Sequence, residues 1–344
     1  MVITDSPNAS PAQQVTPVAK AQLLPDATGG KEEGGGYQKF YNERLYRIFG
    51  AVERIGGAGV VPLLMLPFTV VDILRRRHDY PKFVRLREAF PRDFWKGLGP
   101  RRHYLQMIRN WQEFLGVIIF YNRLGLPYWR KRFEVQGKSP RELPEWGKRP
   151  VILTFMHTGC FGLIRWWMRS QGMPTASLIG SMPTIVNNKD YDKILDVGDR
   201  LYGMEGVPHM FRGSGSALRE AIRYLKPGRV LTMALDGGAV SPEAERLDAD
   251  GFQIDIKKGA CRVAAQTGAI VMPISIRRIG ICRYRVKFGQ PVPDELIQKG
   301  DFAAATQHLV TELWPDIREH PGDLNWTNLE ALHPELQSPR IEWP

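Results

Sequence analysis

The chain has 344 residues, 43% of them hydrophobic and 24% charged, with a formal net charge of +11 and a pI near 9.6. That length suits one large core with an accessory region, and the basic excess favours an anionic partner: a phospholipid surface, nucleic acid or an acidic carrier protein. Its three cysteines, Cys160, Cys261 and Cys282, lack any C-x-x-C or Cys/His pairing at ligand spacing, which excludes a disulfide framework and a metal site of that kind and suits a reducing compartment.

Residues 1–36 are rich in Pro, Ala, Ser, Gln and Gly and end in GGKEEGGG, a composition that predicts a disordered tail without the arrangement of a secretory signal. From Tyr37 a helical pattern leads into Ile55–Val71, IGGAGVVPLLMLPFTVV, an uncharged run interrupted at Asp72 and followed by Arg75-Arg76-Arg77. At roughly 17 residues with two prolines it falls short of the about 20 a span needs. It reads as a helix pair or an interfacial segment docked on a membrane, with a full span and a buried soluble helix broken at Pro62 or Pro67 as the other readings. Further basic clusters, Arg101-Arg102 and Arg130-Lys131-Arg132, lie near Trp and Tyr, which suits a membrane surface. No nucleic-acid-binding motif accompanies them, so nucleic acid is not an expected partner. Ordinary solvated basic faces remain the plain alternative.

Residues 80–135 read as helices, with Trp111, Phe114, Ile118 and Tyr121 as core or groove wall. The linker QGKSPRELPEWGKRP then hands over to an alternating part: strands over 151–156, 175–179, 229–235, 269–276 and 283–288, and helices over 159–171, 190–203, 214–226 and 258–268. This alternation predicts an α/β fold, a mixed, largely parallel sheet flanked by helices, preceded by an N-terminal helical membrane-docking region. The expected divisions are a tail over 1–36, the helical region over 37–150, the α/β core over 151–325 and a C-terminal extension over 326–344. No internal repeat is visible.

Sites on such sheets gather at the carboxyl ends of strands, where His157 and Asp236 both fall. The apolar run VILTFM stops at His157, and Gly159 and Gly162 open the segment that follows. A histidine beside small residues at a strand end can act as a general base, or can be hydrogen-bonded there with no chemistry. Cys160 nearby could be mistaken for a nucleophile. The polar stretch GGAVSPEAERLDADG, 237–251, reads as a long loop, either a lid or simply mobile, and Lys257-Lys258 as solvated.

Four stretches in order carry a resemblance: FPRDFWKGLGPRRHYLQMIRNWQEFLGVIIFYNRLG, HTGCFGLIRWW, FRGSGSALREAIRYLKPGRVLTMALDGG and IDIKKGACRVAAQTGAIVMPISIRR. Together they resemble the membrane glycerolipid acyltransferase superfamily, in particular its bacterial lipid A late-acyltransferase branch, over roughly residues 50–325. The resemblance implies a reaction in which His157 deprotonates an acceptor hydroxyl that attacks an acyl thioester. The thioester would be a co-substrate borne by acyl carrier protein or coenzyme A, with no cofactor and no metal. The Gly159 turn would offer backbone N–H groups to the oxyanion. Arg212, with Gly213 beside it, stands where the family has a basic residue for its substrate's acidic head group, and Arg200 is a fainter candidate. An ordinary surface turn is the other reading of that stretch.

One departure is sharp. The family pattern H-x-x-x-x-D/E requires an acid where this chain has Gly162. Asp236, ending the strand RVLTMALD, is the internal candidate to replace it, with turn capping as its plain role. The sequence therefore supports a peripheral acyltransferase on the cytoplasmic face of a bacterial inner membrane. Its alternatives are a catalytically silent relative that binds lipid or acyl carrier, and a thioester hydrolase.

Overall fold

The structure, a computed structural model, describes residues 43–88, 90–119, 121–179, 189–212, 215–236 and 244–325. The chain divides into a unit over residues 1–32, which lies outside the described residues, and one over 33–344. The expected tail, Gly213, the first part of the 237–251 loop and the extension beyond 325 also fall outside the described residues.

The N-terminal part is helical. Helix α1, Glu43–Gly56, passes through a 3-10 turn into α2, Val61–Arg75, and a second such turn leads to α3, Tyr80–Glu88. Pro62 stands in the first turn of α2, where its missing N–H costs nothing, and Pro67 lies inside the helix without ending it. Then come α4, Pro100–Ile119, and the short α5, Pro127–Arg130. Helix α2 lays Val61 and Met65, both buried, along α4, where Gly116 leaves room: a Cβ there would stand 2.6 Å from Met65. Asp72, the charge inside the apolar run, accepts from Arg76 one turn on (2.8 Å) and from Gln112 of α4 (2.9 Å). The buried Glu53 of α1 accepts hydrogen bonds from Arg123, Tyr128 and Trp129 and so fastens α1 to the α5 region.

The outer side of this pair is apolar. Leu63, Leu66, Val70 and Leu74 recur at helical spacing along α2 and are 70%, 54%, 47% and 60% exposed, and Ile48, Val52 and Ile55 extend the patch onto α1. The stretch Arg47–Glu88 is long and apolar enough, by length and composition, to cross a membrane.

The chain then builds a seven-stranded sheet. Its strands are β1, Phe133–Gln136; β2, Val151–Phe155; β3, Thr175–Ile179; β4, Met210–Arg212; and β5, Val230–Ala234. After the separate hairpin β6, Ala244–Ala249, and β7, Phe252–Lys257, it adds β8, Ile270–Gly280, and β9, Arg283–Phe288. Strand order is β1-β9-β8-β2-β5-β3-β4, every neighbouring pair parallel except β8 with β9. The helices between and after the strands are α6, Leu163–Ser170; α7, Lys189–Tyr202; α8, Gly215–Tyr224; α9, Gly259–Thr267; α10, Asp294–Gln298; and α11, Phe302–Glu319. The central strand β2 is apolar but for the buried Thr154, as suits a parallel strand covered on both faces, and its apolar side chains Val151, Ile152 and Leu153 alternate between two buried clusters. One cluster packs under α8, α9 and α11; the other holds α6, β9 and the inner side of α2.

A mixed, largely parallel sheet flanked by helices thus agrees with the sequence reading, and three local expectations do not. Helix α6 starts at Leu163 rather than 159, because residues 158–162 form the turn that carries the site. The stretch 80–135 is not helical to its end: Phe133–Gln136 pairs with β9. Residues 244–249, expected within a loop, form a strand whose Leu247 and Ala249 are buried with Ile254 and Ile256 of its partner.

Candidate active site

Strands β2 and β5 run side by side in parallel, with Phe155 opposite Ala234. The ladder continues one step further, Leu235 donating to the Phe155 carbonyl at 2.9 Å. His157 and Asp236 therefore emerge two residues past the paired positions, facing each other at the carboxyl end of the sheet. Asp236 holds both the ring and the backbone of His157. Its Oδ1 lies 2.7 Å from His157 Nδ1, and its Oδ2 accepts the His157 backbone N–H at 2.9 Å. The carboxylate is sealed from water, 1% exposed against 17% for the imidazole. A carboxylate acceptor places the ring proton on Nδ1 and leaves Nε2 with its lone pair.

The turn after His157 is braced on two sides. Gly159 adopts φ +55°, and a Cβ there would lie 2.8 Å from the Ile276 carbonyl of β8. That same carbonyl accepts the Cys160 N–H at 2.8 Å, while the Gly159 N–H donates to the Asp323 carbonyl at 2.7 Å. The Gly159 N–H itself is thus spent on the C-terminal segment. What the glycine contributes is its left-handed backbone and its close approach to β8.

Phe161, one helical turn beyond His157, sets its ring edge-on to the imidazole with centroids 4.6 Å apart, and stacks on Phe155 at 5.8 Å. Trp111 of α4 continues this half-buried aromatic wall, 6.4 Å from Phe161. Cys160 is buried. Burial first, with Glu113 and Asp323 adding to it, pushes its thiol well above the ordinary range, so it stays protonated and is no nucleophile.

The other expected site residues are dispersed. Arg212 ends β4 on the same end of the sheet as the dyad, but three strands from β2, about 14 Å at the usual strand spacing. Gly213 lies outside the described residues. Arg200 is exposed in the last turn of α7, and no hydrogen bond or ion pair ties it to the dyad. Gly162, at the position of the family's acid, precedes α6 with ordinary right-handed backbone.

Residues 101–330 match the family model for bacterial lipid A biosynthesis acyltransferases. The chain belongs to that family. No curated protein matches it. The lipid A acyltransferase family is membrane-associated in bacteria, and among its described residues this member carries one apolar helical stretch of the kind described above. In this acyltransferase-family chain the histidine's carboxylate comes from a neighbouring strand, not from the position five residues on.

Two buried polar networks near the site had no local sequence signature. Glu113 of α4 accepts from Arg278 (2.8 Å), Tyr284 (2.7 Å) and the Cys282 N–H (3.2 Å), tying α4 to the β8–β9 hairpin. Asp199 of α7 accepts from Arg169 (2.7 Å), pairs with His209 (2.8 Å) and is bonded by the Tyr121 hydroxyl (3.0 Å). Burial pushes His209 down to about 4 despite this bond, with Arg169 adding to the shift. It is therefore a neutral ring at neutral pH. Burial works to raise Asp199, but the His209 bond and Arg169 outweigh it and hold the carboxylate below its usual range.

Proposed function

We propose that this protein transfers an acyl chain from a thioester of acyl carrier protein or coenzyme A to a hydroxyl or amine of a lipid, glycolipid or lipid-like metabolite, with His157 as general base and Asp236 as its orienting carboxylate. The observation that carries the reading is the 2.7 Å contact between His157 Nδ1 and Asp236 Oδ1. It leaves the Nε2 lone pair for the acceptor's proton. Nε2 takes the acceptor's proton as its oxygen or nitrogen attacks the thioester carbonyl. The tetrahedral oxyanion then collapses, expelling the thiolate, which recovers the proton from the imidazolium. No acyl-enzyme is required.

The test measures transfer from labelled acyl carrier protein and acyl-coenzyme A thioesters, of varied chain length, into a total membrane lipid extract. Wild type is expected to give a labelled lipid, and His157→Ala to lose it. Free acid without an acylated lipid would reassign the protein as a thioester hydrolase. Binding without turnover in both proteins would favour the silent relative that Gly162 brings to mind.

The protein is proposed to work at the cytoplasmic face of the inner membrane, docked rather than spanning. What supports docking is that α2 spends one side on α4 and turns Leu63, Leu66, Val70, Val71 and Leu74 outward, with the exposed Arg75 and Arg77 at its end to meet lipid phosphate. Burying two leucines contributes about 2 kcal/mol each, so Leu63→Asp with Leu74→Asp is expected to weaken binding to anionic phospholipid vesicles by about 100-fold or more in flotation assays. Both side chains are exposed, so stability should hold. Unchanged partition would remove the docking face from the proposal.

A further inference from the structure

The turn that carries His157 is held by a segment more than 160 residues away in sequence. After α11, residues 320–324 cross the carboxyl end of the sheet beside β2. Leu324, fully buried, forms an antiparallel bridge with Thr158, and the carbonyl of Asp323 takes the Gly159 N–H. The segment has its own anchors on α4. His103 Nε2 lies 2.9 Å from the Leu324 carbonyl, and Gln106 Nε2 donates to the Gly322 carbonyl at 3.3 Å.

His103 is built for this one contact. It is fully buried, with its ring between Phe83 and Trp95, each centroid 5.0 Å away. Burial pushes its pKa down to about 4, more than the Leu324 bond raises it, with Arg87 lowering it further, so the ring is neutral. A neutral imidazole has one N–H, and the Leu324 carbonyl requires it at Nε2. Nδ1 is then a bare lone pair, in keeping with its having no hydrogen-bond partner. A polar group this buried is costly unless it is used, and its use is to fasten the segment lying against the His157 turn.

We infer that residues 320–324 are a strap that fixes the His157 turn, and that His103 and Gln106 are positioning residues for catalysis, acting through Leu324 and Gly322 on Thr158 and Gly159. The strap crosses from the helical region, whose α2 presents the apolar face, to the turn bearing the base. The catalytic part of this inference rests on His157 being the base; the mechanical part does not.

The experiment compares wild type, His103→Leu, His103→Gln and Gln106→Leu in the full chain, with two readouts. The first is hydrogen exchange at the amides of residues 158–160. His103→Leu is expected to speed it by about 10- to 100-fold, because a buried carbonyl loses its donor and the strap opens more often. The second is acyl transfer per folded enzyme. His103→Leu is expected to lower kcat by about 10- to 100-fold, with KM for the acyl donor within about two-fold of wild type, as a misplaced base would.

Glutamine carries an N–H at a comparable reach, so His103→Gln should recover most of both losses. Gln106→Leu, at a half-buried position, should give the same pattern more weakly, and it serves if His103→Leu does not fold. Wild-type exchange at 158–160 in both the leucine variants that fold would overturn the strap. Faster exchange with unchanged kcat would overturn its positioning role. If His157→Ala proves as active as wild type, the catalytic reading fails while the exchange result still decides the strap.

Discussion

Asp236→Asn is expected to lower acyl transfer by about 10⁴-fold while leaving the far-ultraviolet circular dichroism unchanged, the loss seen when the orienting carboxylate of a serine-protease triad becomes an amide. The reason lies in how Asp236 holds both the backbone and the ring of His157. Its Oδ2 accepts the His157 backbone N–H at 2.9 Å, with Oδ1 a second acceptor at 3.2 Å, and Oδ1 meets the ring Nδ1 at 2.7 Å. An amide has a single oxygen. If that oxygen stays on the backbone N–H, the NH₂ group faces Nδ1 and requires a lone pair there. The ring proton then moves to Nε2, the nitrogen that should take a proton from the acceptor. If instead the oxygen turns to Nδ1, the backbone N–H faces another donor. Either way the base is lost or displaced. The measurement is kcat on the folded variant, and a loss of less than about 10-fold would mean that Asp236 only caps the end of β2.

Arg169→Met is expected to be the most destabilising single change on the β3 side of the sheet, costing about 3–5 kcal/mol, because it removes one partner of a buried pair. Arg169 is wholly buried and donates to Asp199, to Tyr121 and, at 2.9 Å, to the Thr175 carbonyl, with the Met204, Val207 and Pro208 carbonyls at 3.4 Å. Methionine fills the volume and satisfies none of these. Asp199 keeps its bonds to His209 and Tyr121 but loses the guanidinium charge beside it. At about 2–4 °C per kcal/mol, the melting temperature should fall by about 10 °C in a thermal scan. Adding Asp199→Asn should return part of the loss, since the uncompensated charge is then gone. A fall of under about 2 °C would mean that water replaces the guanidinium.

The legible part of the fold was its buried middle. Strands β2, β3, β5 and the first half of β8 are largely apolar runs, and such runs declare themselves. The elements that escaped are short or mixed. FEVQ is four residues after an aromatic-rich helical region, and AERLDA carries three charges among its six residues. The hairpin joining AERLDA to FQIDIK did leave a mark. Asp250 and Gly251 both take positive φ, +58° and +84°, the demand that makes Asp-Gly a hairpin signal. It reads as part of a loop because its flanking strands do not alternate cleanly. In the site, the pairing of His157 with Asp236 was foreshadowed by each ending an apolar run. Nothing in the sequence could show that β2 and β5 are neighbours in register. Asp323, Leu324 and His103 act through carbonyls and a buried ring, contacts that leave no residue pattern.

A dyad assembled across strands also changes when activity can first appear. In the H-x-x-x-x-D/E pattern acid and base sit on one turn and can meet as soon as that turn forms. Here they are 79 residues apart. They meet only once β2 and β5 have paired and the intervening α6, β3, α7, β4 and α8 have found their places, a contact of high order that chains close late. On the proposed mechanism, a partly folded copy of this protein is expected to be inert toward thioesters. Turnover during refolding should rise with completion of the central sheet rather than with the earlier gain of helix, making catalysis itself a late clock of folding.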